Sequence, residues 1–128
     1  MTICDHEAFE PRLVLIVDDE QPVRSLLARA IALHGHIAIQ ASNGAEALEI
    51  MAAQPAIGAV MTDIRMPVID GEQLTRALAA SYPGIPVVLM SSHMDSMAWR
   101  LPNVKHVIAK PFSVETFIEK LDSMLGDC

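Results

Sequence analysis

Aromatic residues make up only 4% of this 128-residue chain. A core must therefore be built mostly from Leu, Ile, Val, Ala and the eight Met, whose flexible side chains fill irregular gaps. Cysteine is nearly absent. Cys4 and Cys128 stand near opposite ends, frame no small disulfide scaffold and match no zinc spacing. Two free thiols in a reducing cytosol are the better fit. Positive charge is also scarce: nine Lys and Arg against sixteen Asp and Glu leave a net charge of −7. A nucleic-acid surface needs a basic patch, so no nucleic-acid partner is expected, and a cation-binding site suits the balance better. No apolar run approaches the roughly 20 residues of a membrane span, and the N-terminus carries no apolar core of signal-peptide length. The expectation is a cytoplasmic protein with no membrane partner.

What is present is a globular composition, 52% apolar and 20% charged, long enough to bury a core as one domain. Residues 1–11 are polar and aperiodic and read as an N-terminal tail, and residues 12–126 as the domain. Leu13-Val14-Leu15-Ile16-Val17 is an unbroken apolar run, the pattern of a strand covered on both faces. Residues 57–62 and 85–90 repeat that pattern, with Pro86 tolerable only at the strand's start. Residues 36–41 alternate like a half-exposed edge strand, and residues 104–109 mix Lys105 and His106 with apolar side chains in the same way. Helical periodicity fills the intervals. Pro22 suits a first turn, Asn43 with Glu46 and Asp70 with Gln73 form capping pairs, Ser113 caps the last helix, and Gly35 is a stop. Residues 93–103 hold at most a short helix, because Leu101-Pro102 ends it early. Strands alternating with helices give an α/β fold. With strands one, three and four central and two and five at the edges, the order is 2-1-3-4-5. That is a doubly wound, flavodoxin-like parallel sheet whose crevice lies at the carboxyl ends of strands one and three.

The polar residues collect at that crevice. Asp18 and Asp19 follow the first strand, Asp63 the third, Ser91 the fourth and Lys110 the fifth. Three carboxylates brought together repel unless a proton or a cation sits among them. An all-oxygen set without Cys or His points to Mg2+. A phosphoryl group would complete its shell, with Lys110 and Ser91 on the remaining oxygens.

Val17-Asp18-Asp19-Glu20, Asp63 followed by Met66-Pro67 and Asp70-Gly71, Ser91, and Lys110-Pro111-Phe112 together resemble the receiver domain of bacterial two-component response regulators. The resemblance covers nearly the whole chain. It implies that Asp63 accepts a phosphoryl group from phosphohistidine on a histidine kinase or histidine phosphotransfer protein. It implies that Asp19 and Asp63 bind Mg2+, that Asp18 acts mostly through a bound water, and that the main-chain carbonyl of Arg65 is a further ligand. Lys110 would pair with Asp63 at rest and with a phosphate oxygen afterwards, Ser91 would hydrogen-bond the phosphoryl group, and a cis peptide would precede Pro111. Such a domain is a signalling module rather than a turnover enzyme.

Three positions depart from the family pattern. Val107 stands where a Tyr or Phe usually swings inward, Ser91 and Lys110 are a few residues closer than is typical, and Ser92 replaces an Ala. Output through the segment 93–103, which contains Trp99, is therefore expected in place of an aromatic swing. A receiver-shaped binding module independent of phosphorylation, or a receiver piece of a hybrid histidine kinase, are the alternatives. A haloacid-dehalogenase-like phosphatase needs a second Asp two residues after Asp63, where Arg65 stands. The downstream partner is not legible in the sequence. His34 and His36 flank a turn and read as a helix end and an exposed strand rather than as metal ligands.

Overall fold

The computed structural model describes residues 11–66, 68–92 and 100–125. Five strands, β1 (Leu13–Val17), β2 (Ile37–Ala41), β3 (Ile57–Asp63), β4 (Val87–Ser91) and β5 (Val104–Ala109), form one sheet in the order β2-β1-β3-β4-β5. Every pairing is parallel. Four helices are described: α1 (Gln21–Leu33), α2 (Gly44–Ala53), α3 (Gly71–Ser81) and α4 (Val114–Leu125). The architecture is the flavodoxin-like doubly wound sheet expected from the sequence.

The unbroken apolar runs have a direct cause. Successive side chains of a strand point to opposite faces, and both faces here are covered. Val14 and Ile16 of β1, Ala59 and Met61 of β3, and Val88 and Met90 of β4 pack with Leu27 and Ile31 of α1 and Phe117 and Leu121 of α4. Leu15, Val17, Val60, Val87 and Leu89 pack on the other side with Ala47 and Met51 of α2 and Leu74 and Leu78 of α3. Met51, Met61, Met90 and Met124 are all buried, so methionine does take the place of missing aromatics.

The helix starts follow their capping residues. Asn43 Oδ1 accepts the Glu46 N–H at 2.8 Å, and Asp70 and Gln73 cap each other reciprocally. Ser113 Oγ accepts the Thr116 N–H at 3.1 Å. Gly35 ends α1 with a φ of 95°, a conformation glycine adopts without a Cβ penalty.

Three local readings shift. Strand β4 begins at Val87 rather than residue 85 and runs through Ser91, since Pro86 has no N–H to give a ladder and offers only its carbonyl, to the Val60 N–H. Asp63 closes β3 from within rather than following it. His36 is buried, not exposed: it precedes β2, and its Nδ1 accepts the Arg12 main-chain N–H at 3.0 Å. Residues 1–10 of the tail, both cysteines, Pro67, and residues 93–99 with His93 and Trp99 lie outside the described residues, and so does most of the segment 93–103 read as a shortened fourth helix.

Candidate functional site

Parallel strands end on one edge of the sheet, and that edge gathers the expected residues. The Asp18 main-chain N–H donates to the Ala41 carbonyl at 3.2 Å, continuing the β1–β2 ladder one residue past the strand. Its side chain is fully buried. Oδ1 accepts the Glu20 N–H at 2.9 Å, which turns the chain sharply into α1, and Oδ2 accepts from Lys110 Nζ at 3.1 Å. Carboxylate oxygens of Asp18, Asp19 and Glu20 lie within 4.8 Å of one another, with Asp19 and Glu20 open to solvent.

Asp63 reaches the same place from the centre of the sheet. It is 6% exposed, and its Oδ2 accepts from Lys110 Nζ at 3.2 Å. Burial pushes its carboxyl above the ordinary value, Lys110 and the Arg65 main-chain N–H pull it down, and the Asp18 charge adds to the rise; burial prevails. Lys110 is itself held above its ordinary value: burial opposes that shift, and Asp63 and Asp18 outweigh it. The ammonium thus bridges two carboxylates from the first and third strands.

The last strand delivers Lys110 through its backbone. The Lys110 N–H donates to the Ser91 carbonyl at 2.6 Å, and the peptide from Lys110 to Pro111 is cis, as the resemblance implied. Ser91 is buried at the end of β4, so the hydroxyl-bearing residue and the lysine are tied together. Behind Asp63, the Gly71 N–H closes onto the Ile64 carbonyl at 2.7 Å. A Cβ on Gly71 would fall on the main-chain oxygen of Asp63.

The donor set suits a small hard cation. Among the described residues the acidic group of Asp18, Asp19 and Glu20 is all carboxylate, which favours Mg2+ over a thiolate- or imidazole-seeking metal. Beside Lys110 an apolar cleft of about 470 Å3 is lined by Val23, Leu26, Leu27, Phe112 and Val114, with Glu20 at its margin.

Two features of the site lay beyond the sequence reading. Lys110 bonds Asp18 as well as Asp63, and Glu20 joins the acidic group. The second was visible as a third consecutive acid after β1; the first depends on where the ends of β1 and β5 meet. Val107 is half-buried against the core on the α2–α3 side of the sheet.

A family model described as the response regulator receiver domain matches residues 14–122. The DNA-binding transcriptional regulator NtrC of Escherichia coli K12 is 37% identical over 117 residues, covering 89% of this chain and 25% of NtrC. Among solved structures, the receiver domain of NtrX from Brucella abortus is 28% identical with a TM-score of 0.82, covering 88% of this chain and 98% of that one. The response regulator TrrA from Thermotoga maritima, solved in complex with Mg2+ and BeF, is 25% identical with a TM-score of 0.79, covering 88% and 98%. The chain spans between a quarter and about half the length of the relatives it first matches. No helix among the described residues is long and apolar enough to cross a membrane.

Proposed function

This chain belongs to the response regulator receiver domain family, and we propose that its Asp63 accepts a phosphoryl group from a phosphohistidine on a histidine kinase or histidine phosphotransfer protein. The observation that carries this is the pair of hydrogen bonds from Lys110 to Asp63 and Asp18 on one sheet edge, beside the acidic group. Asp18, Asp19, Asp63 and the Arg65 carbonyl would hold Mg2+, with Glu20 beside them. Bound there, Mg2+ would supply positive charge against the carboxylates and the incoming phosphoryl oxygens.

The chain's own residues do the rest. An Asp63 carboxylate oxygen attacks phosphorus, the bond from phosphorus to the donor imidazole breaks, and the imidazole leaves with its electron pair and takes up a proton. Lys110 already touches the attacking group, so its ammonium passes from a carboxylate oxygen to a phosphoryl oxygen with little movement. Ser91, tied to Lys110 through the backbone, offers its hydroxyl to the same group. The product is an acyl phosphate on Asp63, a signalling state rather than the turnover of a released product. The apolar cleft beside Lys110 suits the docking of a helical partner that presents the phosphohistidine. Residue 107 is a packed Val, so the signal leaves without a swinging ring, through the segment 93–103. We place the domain at residues 12–126, working in the cytoplasm.

Incubation with acetyl phosphate and Mg2+ should add the mass of one phosphoryl group to the intact protein, and Asp63→Ala should abolish the addition. A phosphorylated Asp63→Ala protein, or an unmodified wild type, would sink the assignment.

A further inference from the structure

Arg24 lies in the second turn of α1, half-buried, and its guanidinium reaches back to the acidic loop. Its Nη1 donates to the Asp18 main-chain carbonyl at 2.8 Å. Its Nε donates to Gln40 Oε1 of β2 at 3.1 Å. The Arg24 N–H meanwhile donates to the Glu20 carbonyl at 2.9 Å, the first hydrogen bond of the helix. One residue therefore grips the acidic loop at both ends and anchors it to the neighbouring strand.

The Asp18 carbonyl is in need of such a partner. It lies one residue beyond β1, and the Asp18 N–H makes the last bond of the ladder to β2, so the carbonyl needs a donor from elsewhere. The guanidinium is a planar fork with donors in fixed directions. Two of its nitrogens are held, so the position of the carbonyl is fixed, and with it the plane from which the Asp18 and Asp19 side chains depart. The carboxylates around it repel one another, and the Arg24 bonds add to those of Asp18 Oδ1 with the Glu20 N–H and of Oδ2 with Lys110 in holding the loop against that repulsion.

We infer that Arg24 is a positioning residue that holds the Asp18–Asp19–Glu20 loop in the geometry that binds a divalent cation, acting through the Asp18 carbonyl and with Gln40 as its second anchor. The inference rests on the proposed Mg2+ reading of this site.

The test measures Mg2+ affinity by amide chemical-shift titration, whose dispersed spectrum also reports folding, beside urea unfolding in EDTA. Arg24→Ala should raise the Mg2+ Kd about tenfold, which corresponds to about 1.4 kcal/mol. Arg24→Lys keeps a donor for the carbonyl but loses the fork. It should therefore behave like Gln40→Ala, an exposed substitution expected to fold normally, with a rise of roughly two- to threefold, the scale of one exposed hydrogen bond. Saturating Mg2+ should restore the rate of phosphorylation by acetyl phosphate in all three variants. Variants that lose stability in EDTA yet keep the wild-type Kd overturn the inference and leave Arg24 a structural residue only. A wild-type protein that shows no Mg2+ binding overturns instead the reading on which the inference rests.

Discussion

Lys110 donates to two carboxylates from one ammonium, at 3.1 and 3.2 Å, with its side chain only 15% exposed. That sharing leaves Asp63 incompletely compensated, and burial holds its carboxyl above the ordinary 3.8. A carboxyl raised in the fold binds its proton more tightly than in the unfolded chain, so its ionisation works against stability. Its favourable share is complete below 3.8 and is lost as pH rises through the raised value. Lys110 has the complementary sign: its share is complete below 10.5 and is lost only as pH climbs through its own raised value. In EDTA, Asp63→Asn should therefore be more stable than wild type at pH 7, and the gap should close as pH falls toward 4. Urea unfolding at the two pH values reads this directly; a gap that is constant with pH would refute it.

At the scale of elements, the turn between β3 and α3 is where backbone approaches backbone. Gly71 opens α3 with its Cα against the Asp63 and Ile64 main chain, and no side chain fits there without displacing the end of β3. Gly71→Ala should cost about 2 kcal/mol or more of stability and slow phosphorylation by acetyl phosphate. Urea unfolding and intact mass against time check the two effects, and a variant that keeps both wild-type values would show that the turn can relax. The elements themselves were legible where local rules decide. The apolar runs announced strands covered on both faces, and Asn43, Asp70 and Ser113 marked helix starts that the structure keeps. What was not legible belongs to meetings between distant parts. Nothing local in His36 says that its ring is covered and accepts from Arg12, and nothing around Arg24 says that its partner is a carbonyl beyond β1. The second bond of Lys110, to Asp18, spans 92 positions in sequence. Asp63, the acidic pair and the lysine could be placed on one edge because a parallel sheet puts every carboxyl end there, and the resemblance implied the Lys110–Asp63 pair, but the bond of Lys110 to Asp18 could not be read.

At the scale of the whole molecule, the exposed large apolar side chains among the described residues include Leu26 of α1, at 55%, and Val114 of α4, at 39%, both lining the cleft beside Lys110. Acetyl phosphate is small and needs no docking surface, whereas a phosphohistidine partner does. Leu26→Asp should therefore leave phosphorylation by acetyl phosphate near wild type while slowing transfer from a phosphorylated histidine kinase by tenfold or more, the scale of a lost interface anchor. Comparing the two donors on one preparation separates docking from chemistry, and equal effects on both would remove the cleft from the partner surface.

The bond from Lys110 to Asp18 has a further consequence, in time rather than in space. A ribosome makes β1 first of the strands and β5 last, and a domain folds as a unit once its segments are out. Until β5 is out, Asp18 and Asp63 have no Lys110 ammonium to join them, and the Ser91 carbonyl has no Lys110 N–H to receive. On the proposed function, the capacity to take a phosphoryl group thus arrives only once the last strand is in place, and an unfinished chain would not draw phosphate away from the signal.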